Sequence, residues 1–216
     1  MKHIKAIVNV DNNWAIGKNG NLINKFPEDF NFFKEKTKNS IIICGRNTFN
    51  EMGPLNGRIV IVLTSNKNNL NSDMLKKADY YDVFEGVNST MHIGPNIYGR
   101  RTDCPDISKF KKPVLIIENT VFISTVIYAI YLKKRYENIN DIYICGGYTL
   151  YKEVDNFCDE VFITKCNNTI EGADKFFPIQ KFRYKYLYIK GDSKISKTGI
   201  EYSFDTLKRK EFYYDR

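Results

Sequence analysis

The 216-residue sequence predicts an α/β domain. Three observations carry that expectation. Short apolar runs recur between stretches of helical pattern, as expected of strands buried in a sheet with helices packed on it. Two of these runs, in "IIICGRNTF" and "IYICGGYTLY", end in glycine directly before a helical pattern opens. The C-terminal part alternates aromatic with basic or apolar residues in two runs separated by a polar turn, the pattern of two antiparallel strands.

Taken in order, Ile4–Val10 reads as a buried strand, and "DNNWAIGKNGN" after it as a long polar loop. Pro27 suits a first helical position, with Glu28 and Asp29 in the first turn, where carboxylates complement the helix dipole. That helix is expected to reach about Lys38. "SIIIC" (40–44) is a strand, Asn47–Met52 a short helix, "GPLNGR" a turn and "IVIVLTS" (59–65) a further buried strand. Residues 66–112 read as an insertion or long loop rich in Asn and Gly, with Pro95 and Pro105 inside it and short structure only at Leu70–Ala78 and Tyr80–Phe84. Regularity returns with the strand "VLIIE" (114–118), a helix near 121–136, the strand "DIYICGG" (141–147), a helix near 148–156 and the strand "EVFITK". "FRYKYLYI" (182–189) and "GIEYSFDTLKRK" (199–210) are the antiparallel pair. One domain over residues 1–216 is the default at this length.

The net charge is +8, with ten Lys/Arg against five Asp/Glu (net +5) over residues 181–216. Because those lysines alternate with aromatics, they fit the outer faces of strands. A basic field also suits anionic small molecules, whereas lysines without a recognisable module are weak grounds for nucleic-acid binding. Five cysteines without a CxxC pair and only two histidines give neither a zinc cluster nor a disulfide framework, and free thiols fit a cytoplasmic setting. The apolar run Val121–Leu132 is too short to span a bilayer.

Three features point to chemistry. On a helical wheel centred on Asp29, Phe33 falls at about +40°, Phe26 at about +60°, Phe30 at about +100° and Phe32 at about −60°. Glu28, at about −100°, lies outside this arc and reads as a surface residue. An aspartate among aromatics is either a capping or paired residue or a carboxylate with a raised pKa for proton chemistry. The two glycine turns are the second feature: helix N-termini present free N–H groups to anions, and glycine permits close approach of a pyrophosphate. Gly45 is followed by Arg46, Asn47 and Thr48, and Gly146–Gly147 by Tyr148 and Thr149. Third, Arg58 after "GPLNG" has the planar fork that suits a carboxylate, or is a surface residue at a strand start.

The segments "AIVNVDNNWAIGKNGNL", "FPEDFNFFKEKT", "IIICGRNTFNEMGPLNGRIVIVLTS", "IYICGGYTLYKEV" and "EVFITKCNNTIEGADKFFP" together resemble the dihydrofolate reductase family, in the family's order and over residues 4–65 and about 114–208. The resemblance implies an α/β fold with a central eight-stranded, mostly parallel twisted sheet, a C-terminal antiparallel strand and about four flanking helices. It implies NADPH-dependent reduction of 7,8-dihydrofolate to tetrahydrofolate, with hydride passing from nicotinamide C4 to pterin C6. Asp29 would bind the pterin amidine edge and promote N5 protonation, held by Thr164, with Tyr151 beside the reacting rings. Ile7, Val8, Phe30, Phe33, Met52, Leu55 and Cys145 would line the folate pocket, and Arg58 would pair with the substrate's α-carboxylate. Asn9, Ile16, Gly17, Gly20 and Leu22 would lie on the nicotinamide side, with Cys145 and Tyr151. Gly45, Arg46, Asn47, Thr48, Gly146, Gly147, Tyr148 and Thr149 would hold phosphates, and Thr64 and Ser65 would sit near the 2′-phosphate. Antifolates such as methotrexate would be ligands, and a thymidylate synthase, fused or associated, a partner. The tail "KRKEFYYDR" reads as the start of a linker.

The chain departs from the family pattern in the length of the 66–112 region, which exceeds the family's equivalent, and at two sites. Ile23-Asn24 stands where Pro-Trp is usual, and Asn9 replaces a small alanine. Two other readings share the fold: a pyrimidine reductase of riboflavin synthesis, which lacks the Asp29 carboxylate, and a non-catalytic nucleotide- or RNA-binding module.

Overall fold

The computed structural model describes residues 4–85, 107–118, 122–136 and 138–210. In chain order the first elements are β1 (Ile4–Val10), β2 (Ala15–Lys18), β3 (Asn21–Leu22), α1 (Pro27–Lys36), β4 (Ile41–Gly45), α2 (Arg46–Met52), β5 (Ile59–Thr64), α3 (Ser72–Leu75) and β6 (Tyr80–Glu85). Then come β7 (Pro113–Glu118), α4 (Phe122–Arg135), β8 (Ile142–Ile144), α5 (Tyr148–Tyr151), β9 (Glu160–Cys166), β10 (Lys175–Phe176), β11 (Tyr186–Ile189), β12 (Lys194–Ile195) and β13 (Glu201–Arg209). The chain forms two compact units, one of Met1–Lys36 with Tyr151–Arg216, the other of Thr37–Leu150.

In the first unit the strand order is β11-β13-β9-β1, with β12 added to β13. β1 and β9 run parallel, and β13 runs antiparallel to both β9 and β11. A separate three-stranded sheet joins β10, β2 and β3. In the second unit the order is β8-β4-β5-β7-β6, every pair parallel. Parallel strands covered on both faces read as unbroken apolar runs, which is why β4, β5 and β7 are so plain in the sequence. All but the last one or two residues of each are buried. The α/β class with a mostly parallel arrangement and a C-terminal antiparallel strand is as predicted.

α1 begins as its sequence dictates. The Phe26 carbonyl accepts the first helical bond, from Phe30 N–H at 3.3 Å, and this places Pro27 where a missing N–H is harmless. The helix ends at Lys36, short of the expected Lys38, and Asn39 turns the chain with a left-handed φ of 52°. Phe26 is fully buried against Cys166 and Tyr202, its ring centroid 5.0 Å from that of Tyr202. Phe32 stacks on Phe204 at 4.0 Å and meets Phe162 edge-on. These two anchors clamp α1 to the β9–β13 face. Phe26→Leu is expected to cost about 1–2 kcal/mol in urea unfolding.

Two expectations are corrected. The polar loop after β1 contains the β2–β3 hairpin, turned at Asn19 (φ 52°) and Gly20 (φ 81°), and an Asn-Gly pair is the signal of such a turn. Within residues 66–112, the short structure expected at Leu70–Ala78 and Tyr80–Phe84 is present as α3 and β6, and β6 pairs with β7. The middle of that region lies outside the described residues, as does Glu211–Arg216 of the supposed linker. The helix expected near 148–156 stops at Tyr151, and a 3-10 turn takes over at Val154–Asn156.

Candidate active site

Strand register builds the acidic site. Asn9 of β1 lies opposite Thr164 of β9, and Thr164 lies opposite Phe204 of β13. Side chains two residues apart share a face. Phe162, Thr164 and Cys166 therefore line the surface that α1 covers. With Phe26 fixed over Cys166 and Phe32 over Phe204, Asp29 of α1 is delivered to Thr164 and Asn9.

Burial is the dominant influence on Asp29 and raises its pKa above that of an aspartate in water; a hydrogen bond from the Thr164 side chain and the Asn9 side chain act in the opposite direction. Thr164 is fully buried, so its hydroxyl is well shielded from water. The Asn9 Nδ2 makes no well-aligned hydrogen bond and acts on the carboxylate as a nearby dipole. Cys166 is held as a neutral thiol. Its pKa is pushed up to about 12, mainly by burial and next by the charge of Asp29.

Other predicted residues of this unit cluster around β1. The Tyr151 hydroxyl donates to the Ile7 carbonyl at 2.6 Å, and its ring stands edge-on to Phe177. Ile7 and Val8 are buried, whereas Phe30 is 47% exposed and Phe33 half-buried. The wheel put Phe26, Phe30 and Phe33 in one arc, but only Phe26 is buried in protein. Ile16 and Gly17 are buried in β2, Gly20 is exposed at the hairpin tip, and Leu22 is half-buried.

Glu28 differs from expectation. Its Oε1 accepts from Lys197 N–H at 3.0 Å and its Oε2 is shielded from solvent without a hydrogen bond. It ties α1 to the β12–β13 turn rather than standing in water.

In the second unit the two glycine turns meet because β8 pairs directly with β4. Gly45 N–H donates to Gly146 O at 2.7 Å. A Cβ at Gly45 would lie 3.4 Å from Gly147 N, and one at Gly147 would lie 3.7 Å from Thr48 Oγ1. Both distances are ordinary van der Waals contacts, so the two turns pack directly against each other. Gly146 has a φ of 96°, which other residues rarely adopt, and the Gly146–Gly147 peptide is cis. Arg46, Thr48 and Tyr148 are half-buried around this pair, and Asn47 and Thr149 are exposed. Cys145 is buried, and Met52 and Leu55 are half-buried.

Arg58 is fixed by backbone. Its Nε donates to Thr37 O at 3.2 Å and to Thr37 Oγ1 at 3.3 Å, and its Nη1 donates to Asn56 O at 2.7 Å. Burial lowers its pKa, yet a guanidinium keeps its charge. Thr64 Oγ1 is engaged in its own turn, donating to Asn66 O at 2.9 Å, and Ser65 is exposed.

A family model described as dihydrofolate reductase matches residues 3–103 and 108–209. The chain belongs to the dihydrofolate reductase family. A dihydrofolate reductase of Bacillus subtilis is 24% identical over 93% of this chain and 91% of its own length. One from Buchnera aphidicola is 26% identical over 96% of this chain and 99% of its own length. A bifunctional dihydrofolate reductase-thymidylate synthase of Glycine max is 24% identical over 95% of this chain, which spans 33% of that relative. Among solved structures, Enterococcus faecalis dihydrofolate reductase complexed with NADP(H) and RAB-propyl has the same fold, with a TM-score of 0.59 at 23% identity over 97% of each chain.

Within this dihydrofolate reductase fold, sequence reasoning missed the partners of Asn24 and the role of Asp11. Asn24, fully buried, bonds to Asn9 and Asn168. No periodicity marks a lone asparagine among polar neighbours. Asp11, also fully buried, accepts three backbone N–H bonds from the loop segments around it. An aspartate closing an apolar strand is an Asx-turn signal and could have been read.

Proposed function

We propose that this chain reduces 7,8-dihydrofolate to tetrahydrofolate with NADPH. Asp29 carries the reading: a carboxylate whose proton is held by burial, braced by Thr164, in a chain of this family. NADPH, when bound, would supply the hydride for pterin C6. Asp29 binds the pterin amidine edge and promotes protonation of N5, which makes the C=N bond a better hydride acceptor. Thr164 orients the carboxylate. Tyr151, tied to the Ile7 carbonyl, fixes an aromatic wall. Phe30 and Phe33, left partly uncovered by protein, offer an apolar surface to the pterin and its aryl group. Arg58, held in plane by Thr37 and Asn56, is suited to the α-carboxylate of the substrate's glutamate.

The glycine pair fits a dinucleotide. Its backbones approach closely, joined by the hydrogen bond from Gly45 N–H to Gly146 O, which suits phosphates held by Gly45, Gly146 and Gly147 with Arg46 and Thr48 alongside. A thymidylate synthase is a proposed partner on the strength of the bifunctional relatives.

The direct test is loss of NADPH absorbance on adding dihydrofolate to the purified chain. No consumption of either compound overturns the assignment. The pH dependence follows from Asp29. Its carboxyl holds a proton to higher pH than an ordinary aspartate, so the proton-limited rate is high in acid and falls as pH rises through the raised pKa. Single-turnover rates across pH measure this, and a flat profile contradicts the role given to Asp29.

A further inference from the structure

We propose that Asn168, Asn24 and Asn9 form a fixed amide relay that positions and tunes the Asp29 carboxyl, with Asn24 a positioning residue that acts only through Asn9. The inference rests on the role proposed for Asp29.

The hydrogen bonds give the relay a direction. Asn168 Nδ2 donates to Asn24 Oδ1 at 2.8 Å, and Asn168 Oδ1 is buried without a hydrogen-bond partner among the described residues. The other end of the Asn24 amide, Nδ2, donates to Asn9 Oδ1 at 3.4 Å. Cys166 Sγ donates to the same Asn9 oxygen at 3.6 Å. Burial and the Asp29 charge keep Cys166 protonated, so it remains a donor across the ordinary pH range. With two donors on Asn9 Oδ1, the amide cannot flip without placing its own NH2 against them. The Asn9 Nδ2 end is therefore left to Asp29.

That end is otherwise unused. Asn9 is 7% exposed, and its Nδ2 has no hydrogen-bond partner among the described residues. A buried donor of this kind is costly unless a negative group lies near. It favours the anionic form of Asp29, in the same sense as Thr164, and opposes the effect of burial. Thr164 and Cys166 from β9, Asn9 from β1 and the neighbouring Glu28 on α1 are the polar and titratable groups around the carboxyl. Lys197 N–H outside the site holds Glu28, and Asn24 and Asn168 hold the Asn9 amide. Asn24 is 2% exposed and is held in place by Asn168, which joins a loop after β9 to the segment before α1.

The test is a carbon-13 titration of the Asp29 carboxyl in the free protein, which needs no substrate. Asn9→Ala is expected to move the titration to higher pH. Asn24→Ala and Asn168→Ala are expected to move it the same way by a smaller amount, because the Asn9 amide is released to turn its oxygen toward Asp29. The double variant Asn9→Ala/Asn24→Ala should titrate where Asn9→Ala does, since Asn24 has no route to Asp29 except through Asn9. A midpoint unmoved in Asn24→Ala and Asn168→Ala overturns the relay, and so does an additive double variant. Should Asn24→Ala fail to fold, Asn168→Ala at the half-buried end carries the same comparison. Turnover of the same proteins separates the two readings: carboxyl shifts without any dihydrofolate reduction keep the relay and sink the reaction, and reduction without the shifts does the reverse.

Discussion

Asp29→Asn is expected to lower kcat/KM for dihydrofolate by about 10²–10⁴-fold, the range typical of losing a positioned proton-transfer group. The same variant is expected to be more stable than the parent at neutral pH. The sign follows from linkage. Burial raises the folded-state pKa of Asp29 above its unfolded value, so the contribution to stability is full below the unfolded pKa and is lost as pH rises through the folded one. Above the raised folded-state pKa the parent therefore holds a carboxylate whose environment disfavours its charge. Asparagine carries none, and the advantage closes on acidification as the parent's carboxyl regains its proton. Urea midpoints at neutral and acid pH, measured beside the turnover assay, check both halves. A variant that loses activity and stability together at neutral pH would point to damaged packing rather than to chemistry.

Asp11→Ala should show the largest loss of stability, about 3–9 kcal/mol, from three backbone donors left without an acceptor at about 1–3 kcal/mol each. Asp11 Oδ1 accepts from Asn13 and Ala15 N–H, both at 2.8 Å, and Oδ2 accepts from Ile170 N–H at 2.9 Å. The residue is completely buried, so water cannot substitute readily. Its backbone adds to the same node: Trp14 N–H donates to Asp11 O at 3.1 Å, and Lys165 Nζ donates to that oxygen as well. Trp14 sits at a φ of 64°, which a bulky side chain adopts only when its surroundings impose it. Lys165 lies 4.5 Å from the Trp14 ring and closes the arrangement. Asp11→Asn keeps one acceptor oxygen but turns an NH2 toward Ile170 N–H or toward the Asn13 and Ala15 pair. It is expected to lose about half as much as alanine. Denaturant midpoints at constant m-value measure the series. Equal stability of Asp11→Ala and the parent would show that the loop is held by its strands alone.

The sequence exposed the parts of the fold that repeat a pattern. β4, β5 and β7 are legible because both their faces are covered. β13 is legible because its burial alternates in the middle of the strand. Edge pieces were harder to see. β6 reads "YYDVFE", with polar residues where an edge meets water, and the β2–β3 hairpin is hidden by lysines and asparagines that suit short exposed strands. Asp29 could be singled out because a carboxylate in an aromatic arc contradicts local expectation. The same wheel could not show that Phe26 and Phe32 face protein while Phe30 does not, since that depends on what β9 and β13 place beneath the helix. Asn24 stood out as a departure from the family pattern, but its bond to Asn168 was invisible for a similar reason: the two residues lie 144 positions apart.

The pairing of β1 with β9 has a consequence for biosynthesis. Asn9 and Cys166 are 157 positions apart, Tyr151 reaches back 144 positions to Ile7, and Asp29 is braced by Thr164. Contacts this distant in sequence close late, because the ordering of the intervening chain must come first. A ribosome that has released β1 and α1 has exposed Asp29 to water as an ordinary surface acid. Its proton affinity changes only after β9 emerges and docks, so the chemical character of this side chain is acquired near the end of synthesis.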